Sequence, residues 1–180
     1  DLRVLGGSVE FEHVIDPTST VTYTFADTTN NKAYNETING NWTAAQLLTV
    51  GNELLTIGYT NINSNNKINT TCVNVGTSDF CMFRYVFNLN QTSSNINLLN
   101  ITWMGLESTD DVAVELLVYN WTNNIWTRVG VISGGPKGTN TTNFSGANVL
   151  NHIGSTNNNV TIAVWTLRGL ADGSPENIST

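Results

Sequence analysis

Cys81, Phe83, Tyr85, Phe87 and Leu89 recur at every second position. That period belongs to a β-strand, because successive Cβ atoms of a strand point to opposite faces. Five bulky apolar groups on one side need a second layer to cover them, so a chain carrying this run must build packed sheets. The same period marks Val21, Tyr23 and Phe25, and again Val112, Val114, Leu116 and Val118, which oppose Glu115 and Tyr119. Ile96–Met104, Ile125–Val131 and Val160–Leu167 are rich in Val, Ile, Thr and Trp and read as further strands. Turn clusters separate them at Asn61–Asn66, Asn123–Asn124, Ser133–Gly138 and Asn157–Asn159. Two short stretches, Thr43–Val50 and Gly146–Ile153, can each hold two helical turns. The pattern predicts an all-β chain, a two-sheet β-sandwich of jelly-roll type.

The solvating surface of this sandwich is unusual. Charged residues make up 12 % of the 180, about half the share common in soluble chains. In their place stand 28 Asn, 26 Thr and 12 Ser. The net charge of −7 contains no basic cluster, which argues against nucleic acid as a partner. No apolar run is long enough for a helical membrane span. Ten asparagines open N-x-S/T sequons: Asn35, Asn41, Asn69, Asn90, Asn100, Asn120, Asn140, Asn143, Asn159 and Asn177. Chance placement at this Ser and Thr content gives about six, so the excess favours an extracellular chain bearing N-linked glycans. The two cysteines, Cys72 and Cys81, suit the same compartment, and a disulfide closing so short a loop contributes roughly 2.5–3 kcal/mol. Two free thiols are the alternative. The start at Asp1, without Met, reads as a mature chain after leader cleavage or as an excised piece.

The ends invite a further expectation. After Val160–Leu167 the tail to Thr180 is polar and turn-like, as if no closing strand followed. At the start, residues 1–16 form a strand-like segment ahead of a domain at 17–180. Leu5, Gly7, Val9, Phe11, His13 and Ile15 share one face of it and Ser8, Glu10 and Glu12 the other. Such a strand can open its own sandwich, or it can fill a vacant groove in a second copy. Burial of Leu5, Val9, Phe11 and Ile15 is worth on the order of 6–12 kcal/mol in either case. Donation to a neighbour is head-to-tail and propagates as an open homopolymer.

Catalytic chemistry is thinly represented. His13 sits on the apolar face of the first segment and His152 in a short helix, and both read as structural. No nucleophile elbow, zinc-protease or phosphate-loop motif occurs, and the chain reads as a non-enzyme without cofactors. Glu107, Asp110 and Asp111, with Glu115 beyond, form a weak Ca²⁺ candidate against the alternative of a solvated turn. Lys32, Lys67 and Lys137 are the candidates for an isopeptide cross-link. Of five tryptophans, Trp42, Trp103, Trp121, Trp126 and Trp165, at least three are expected in the core. Trp121 and Trp126 flank the Asn123–Asn124 turn, where sugars could reach them.

With its sequon density, scarcity of charge, donor-like first strand and stretches such as Tyr119–Gly130 and Val160–Leu167, the chain resembles subunits of archaeal extracellular filaments. The resemblance implies a cell-surface appendage, a thread-type pilus built by donor-strand complementation and used in adhesion or biofilms. It implies Leu5, Gly7, Val9, Phe11 and Ile15 as groove-filling residues, and copies of the chain as partners. The alternative is a secreted carbohydrate-binding or adhesin module, or an S-layer-type domain, with surface glycans as partners.

Overall fold

The computed structural model describes residues 2–5, 8–11, 21, 23–39, 43–49, 51–63, 71–73, 79–107, 113–133, 138–166 and 177–179. At 2–5, 8–11, 38–39, 71–73, 79–80, 104, 106–107, 113, 132–133, 138–140, 166 and 177–179 the description is of the backbone alone.

The alternating run becomes β6 (Asp79–Asn88), and Cys81, Phe83, Tyr85 and Phe87 are fully buried along it. On one side β6 pairs with β3 (Lys32–Asn39), which β4 (Asn52–Glu53) flanks. On the other it pairs with β11 (Asn159–Thr166), followed by β8 (Ala113–Asn120) and β9 (Ile125–Ser133). All pairs in this six-stranded sheet are antiparallel. A four-stranded sheet holds β10 (Gly138–Ser145), β7 (Leu98–Glu107), β12 (Asn177–Ser179) and β5 (Thr71–Val73), in that order.

The strand order names the architecture. From β5 onward the chain runs β5-β12-β7-β10 in one sheet and β6-β11-β8-β9 in the other. Each late strand returns to lie beside an early one, the double Greek key of a jelly roll. Inward residues of both sheets meet in one core. Leu99, Ile101 and Trp103 of β7 join Leu116, Ile162 and Val164 of the facing sheet. Helix α2 (Thr56–Ile62) plugs the core with Tyr59 and Ile62, and α3 (Ala147–Asn151) does so with Val149. Helix α1 (Ala44–Thr49) opens with a reciprocal cap: Gln46 N–H donates to Thr43 Oγ1, and Thr43 N–H donates to Gln46 Oε1.

Several expectations need correction. The sheet does close at its C-terminal side: β12 pairs with β5 on one edge and with Leu106 and Glu107 of β7 on the other. Its three residues were masked in the sequence by turn-forming neighbours. The N-terminal run is not one extended strand. Leu5 ends β1 (Leu2–Leu5), while Val9 and Phe11 lie in β2 (Ser8–Phe11), and the two strands pair with Leu5 opposite Ser8. In this single chain both strands lie beside β7. Gly7 and Ile15 fall outside the described residues, as does His13.

Val21, Tyr23, Thr24 and Phe25 likewise lie outside any strand. Tyr23 and Phe25 are buried as the period implies, yet neither is part of a strand. Instead the Tyr23 hydroxyl donates to Asn90 Oδ1 and accepts from the Asn90 N–H. Of the tryptophans, Trp103 alone among those described is fully buried, while Trp121, Trp126 and Trp165 are half-buried. Trp42 lies outside the described residues.

Candidate binding face

An antiparallel sheet usually turns polar residues to solvent on the face away from the core. The outer face of the six-stranded sheet departs from this. Alternation that sends Phe83, Leu116 and Val164 inward sends Met82, Leu117, Ala163 and Trp165 outward. Trp126 of the edge strand β9 packs onto the same cluster. Helix α1 lies across part of this face and buries Leu47 against Met82, Leu117 and Ala163.

Polar contacts hold the two half-buried indoles in place. Trp165 Nε1 donates to Glu115 Oε2 at 2.7 Å, and Arg128 Nη1 donates to Glu115 Oε1 at 3.0 Å. The Glu115 side chain is only 8 % exposed and Arg128 is 63 % exposed, so the carboxylate is an inner anchor and the guanidinium an outer group. Trp126 Nε1 donates to the Ala44 carbonyl at 3.0 Å, tying β9 to α1. Trp126 and Trp121 both meet the buried Tyr119 ring edge-on, with centroids 5.1 and 4.9 Å away. Deeper under α1, the Arg84 guanidinium stacks 4.2 Å from the Tyr34 ring centroid and donates to the Leu47 carbonyl. Burial pulls its pKa below the ordinary arginine value, against the opposing pull of Tyr34. With each indole N–H satisfied internally, what Trp126 and Trp165 offer outward is apolar ring surface beside the Arg128 charge.

A cavity of about 610 Å³ lies apart from this face, where α2 begins. Lys32 and Glu53 pair across it at 2.8 Å, and the Tyr59 hydroxyl donates to Glu53 Oε1 at 3.0 Å. The lysine holds the Glu53 carboxyl below its usual range, and burial raises the Tyr59 hydroxyl. Leu55 and Ile57 stand exposed nearby, at 78 % and 66 %. This cleft is lined by aliphatic and polar groups, and its aromatic side chains, Phe25 and Tyr59, are buried.

The remaining candidates distribute as follows. His152 caps the C-terminus of α3 in the core, where Nδ1 donates to the Tyr119 carbonyl at 3.1 Å and the ring packs on Phe144. Burial lowers its pKa. The Glu107 side chain, Asp110 and Asp111 lie outside the description, and among the described residues no three acidic, His or Cys groups cluster as metal ligands. Lys32 is engaged by Glu53 at the surface, while Lys67 and Lys137 lie outside the described residues. Cys81 is disulfide-bonded, and the chain has one other cysteine, Cys72. Among the described residues, no helix is long and apolar enough to cross a membrane.

Sequence reasoning placed Trp121 and Trp126 near an accessible turn but missed Trp165, Glu115 and Arg128 as one assembly. The signal was present in the alternation: Glu115 and Trp165 both oppose core-facing neighbours, but their pairing depends on β8 and β11 being adjacent, with Trp165 opposite Glu115.

No family model matches the chain, and no curated protein does either. A solved structure described as "CBM4 structure and function" aligns with 12 % identity over 84 % of this chain and 90 % of its own, with a TM-score of 0.41. The jelly-roll assignment rests on the strand order of this chain itself.

Proposed function

We propose that this chain is a non-catalytic extracellular binding module that takes carbohydrate on the outer face of its six-stranded sheet. The observation that carries the reading is the pair of half-buried indoles, Trp126 and Trp165, each fixed by an internal hydrogen bond from its only donor. Rings held this way lose little freedom when a flat sugar face stacks on them, and preorganisation of that kind is what gives weak contacts useful affinity. Arg128 supplies outward N–H donors for hydroxyl or carboxylate groups of the ligand, and Glu115 holds it in position from below. Secretion fits the disulfide at Cys81 and the sequon content.

A binding survey against neutral and uronic-acid polysaccharides, read by intrinsic tryptophan fluorescence, tests the reading. Trp126→Ala and Trp165→Ala should each weaken binding at least about tenfold, the scale of a buried aromatic anchor. Leu55→Ser, in the cleft by α2, should leave affinity unchanged. Loss of binding in Leu55→Ser alone would move the site to that cleft, and absence of binding to every polysaccharide would end the carbohydrate reading.

A further inference from the structure

The ten sequons are not equivalent once folded, and the differences lie in two atoms each: the asparagine amide, which receives the glycan, and the hydroxyl two residues on, which completes the motif. Asn120 is 8 % exposed, and its Oδ1 accepts the Asn123 N–H within the turn after β8. A glycan on that amide cannot coexist with this packing. Asn100 of β7 has Oδ1 buried with no hydrogen-bond partner, and its Thr102 is 6 % exposed with Oγ1 2.9 Å from Thr141 Oγ1. Asn159 of β11 is half-buried, its Oδ1 accepts from Asn88 Nδ2, and its Thr161 is 2 % exposed.

Among the sequons whose side chains are described, two are different in both atoms. Asn143 stands exposed on β10 and so does Ser145. Asn90 is exposed in the bend after β6, and Thr92 is exposed with it. The contact between Asn90 and Tyr23 uses Oδ1 and the backbone N–H, which leaves Nδ2 as the point of attachment. Asn143 and Asn100 are moreover direct cross-strand partners. Side chains so placed start only about 5 Å apart, which leaves room for one glycan rather than two.

From this we infer that Asn90 and Asn143 carry N-linked glycans in the folded protein and that Asn100, Asn120 and Asn159 do not. The selection has a spatial result. Asn143 projects from the four-stranded sheet, whereas Asn159 would place a glycan on the outer face of the six-stranded sheet, next to Thr161 and in line with Trp165. Leaving Asn159 bare keeps the aromatic face open. This inference does not depend on what that face binds.

Glycopeptide mass mapping of the protein recovered from the cells that make it is the test. Glycan mass is expected on the peptides containing Asn90 and Asn143, and unmodified peptides are expected for Asn100, Asn120 and Asn159. Because Asn90→Gln disturbs the Tyr23 contact, Thr92→Ala and Ser145→Ala serve as second variants that destroy each motif and keep the asparagine. Each should remove one glycan from the intact mass, whereas Thr102→Ala should remove none. A glycan at Asn100, Asn120 or Asn159, or an unmodified peptide at either Asn90 or Asn143, overturns the assignment.

Discussion

Asparagine does two jobs in this chain that composition alone cannot separate. Asn124 and Asn158 adopt φ of 54°, the left-handed region, in the turns that precede β9 and β11. There Asn is tolerated because its short amide can bond locally, and Asn158 Nδ2 donates to the Leu89 and Gln91 carbonyls. Those turns were legible as Asn pairs in the sequence. The buried Asn31, whose Nδ2 donates to the Thr24 carbonyl at 2.8 Å and whose Oδ1 accepts from the Asn88 N–H, was not, since nothing local marks an amide that ties a loop to the end of β6. His152 gives the residue-scale prediction. Burial lowers its folded pKa below the unfolded value of about 6.5. The unfolded chain therefore takes up the proton first, so the contribution of His152 is present above about pH 6.5 and is lost as pH falls toward the folded value. Asp27, whose pKa is lowered chiefly by Asn30, and Glu53, lowered by Lys32, lose their contributions later, in the carboxylate range. Urea unfolding at about pH 7.5 and about pH 5 should show a drop in stability that His152→Gln reduces. Equal drops in both proteins would remove His152 from the account.

Among the elements, legibility followed the strength of the apolar period. β6, β8, β9 and β11 carry it and lie where the alternation puts them, within a few residues. β10 carries no such period, because its sequence, Gly-Thr-Asn-Thr-Thr-Asn-Phe-Ser, turns only one large apolar group, Phe144, toward the core. β3 is similar, with Ala33 as its fully buried residue. Both strands are specified by their partners, β7 and β6, more than by their own residues. Helix α2 is the reverse case, since Thr, Ile, Gly and Asn are modest helix formers and the burial of Tyr59 and Ile62 outweighs them. β12 yields the element-scale prediction. Removing residues 171–180 strips the shared partner from β5 and β7 and exposes two edges. The shortened chain should associate with rising concentration in sedimentation, and a peptide covering 171–180 should return it to monomer. A shortened chain that stays monomeric at all concentrations would show that β12 protects neither edge.

For the molecule as a whole, the two outer faces have opposite chemistry. At its outward positions the four-stranded sheet carries Asn100, Thr102, Thr141 and Asn143, while the six-stranded sheet carries Met82 and Leu117, buried beneath α1, and the half-buried Trp126 and Trp165. That contrast was invisible from the sequence, where both sets appear as outward positions in similar strands. The jelly roll itself was predictable in class, because many short alternating strands with polar turns leave few other solutions. Its strand order was not, as it depends on pairings between residues far apart in the chain, such as Asn177 with Val73 and Val164 with Phe83. Cross-linking acts at this scale. Replacing Cys72 and Cys81 together by Ala should cost roughly 2.5–3 kcal/mol through the loop entropy returned to the unfolded chain. In a chain of this size that is a fall of roughly 5–10 °C in Tm, measurable by calorimetry. An unchanged Tm would mean that the bridge at Cys81 holds nothing the sheets do not already hold.

The position of β12 between β5 and β7 also sets an order of events. A chain made from its N-terminus presents β7 and β10 long before residue 177 emerges, yet the seat between β5 and β7 can be filled only then. Until that moment the four-stranded sheet exists as two fragments with facing, unsatisfied backbones, a non-local closure of the kind that slows folding.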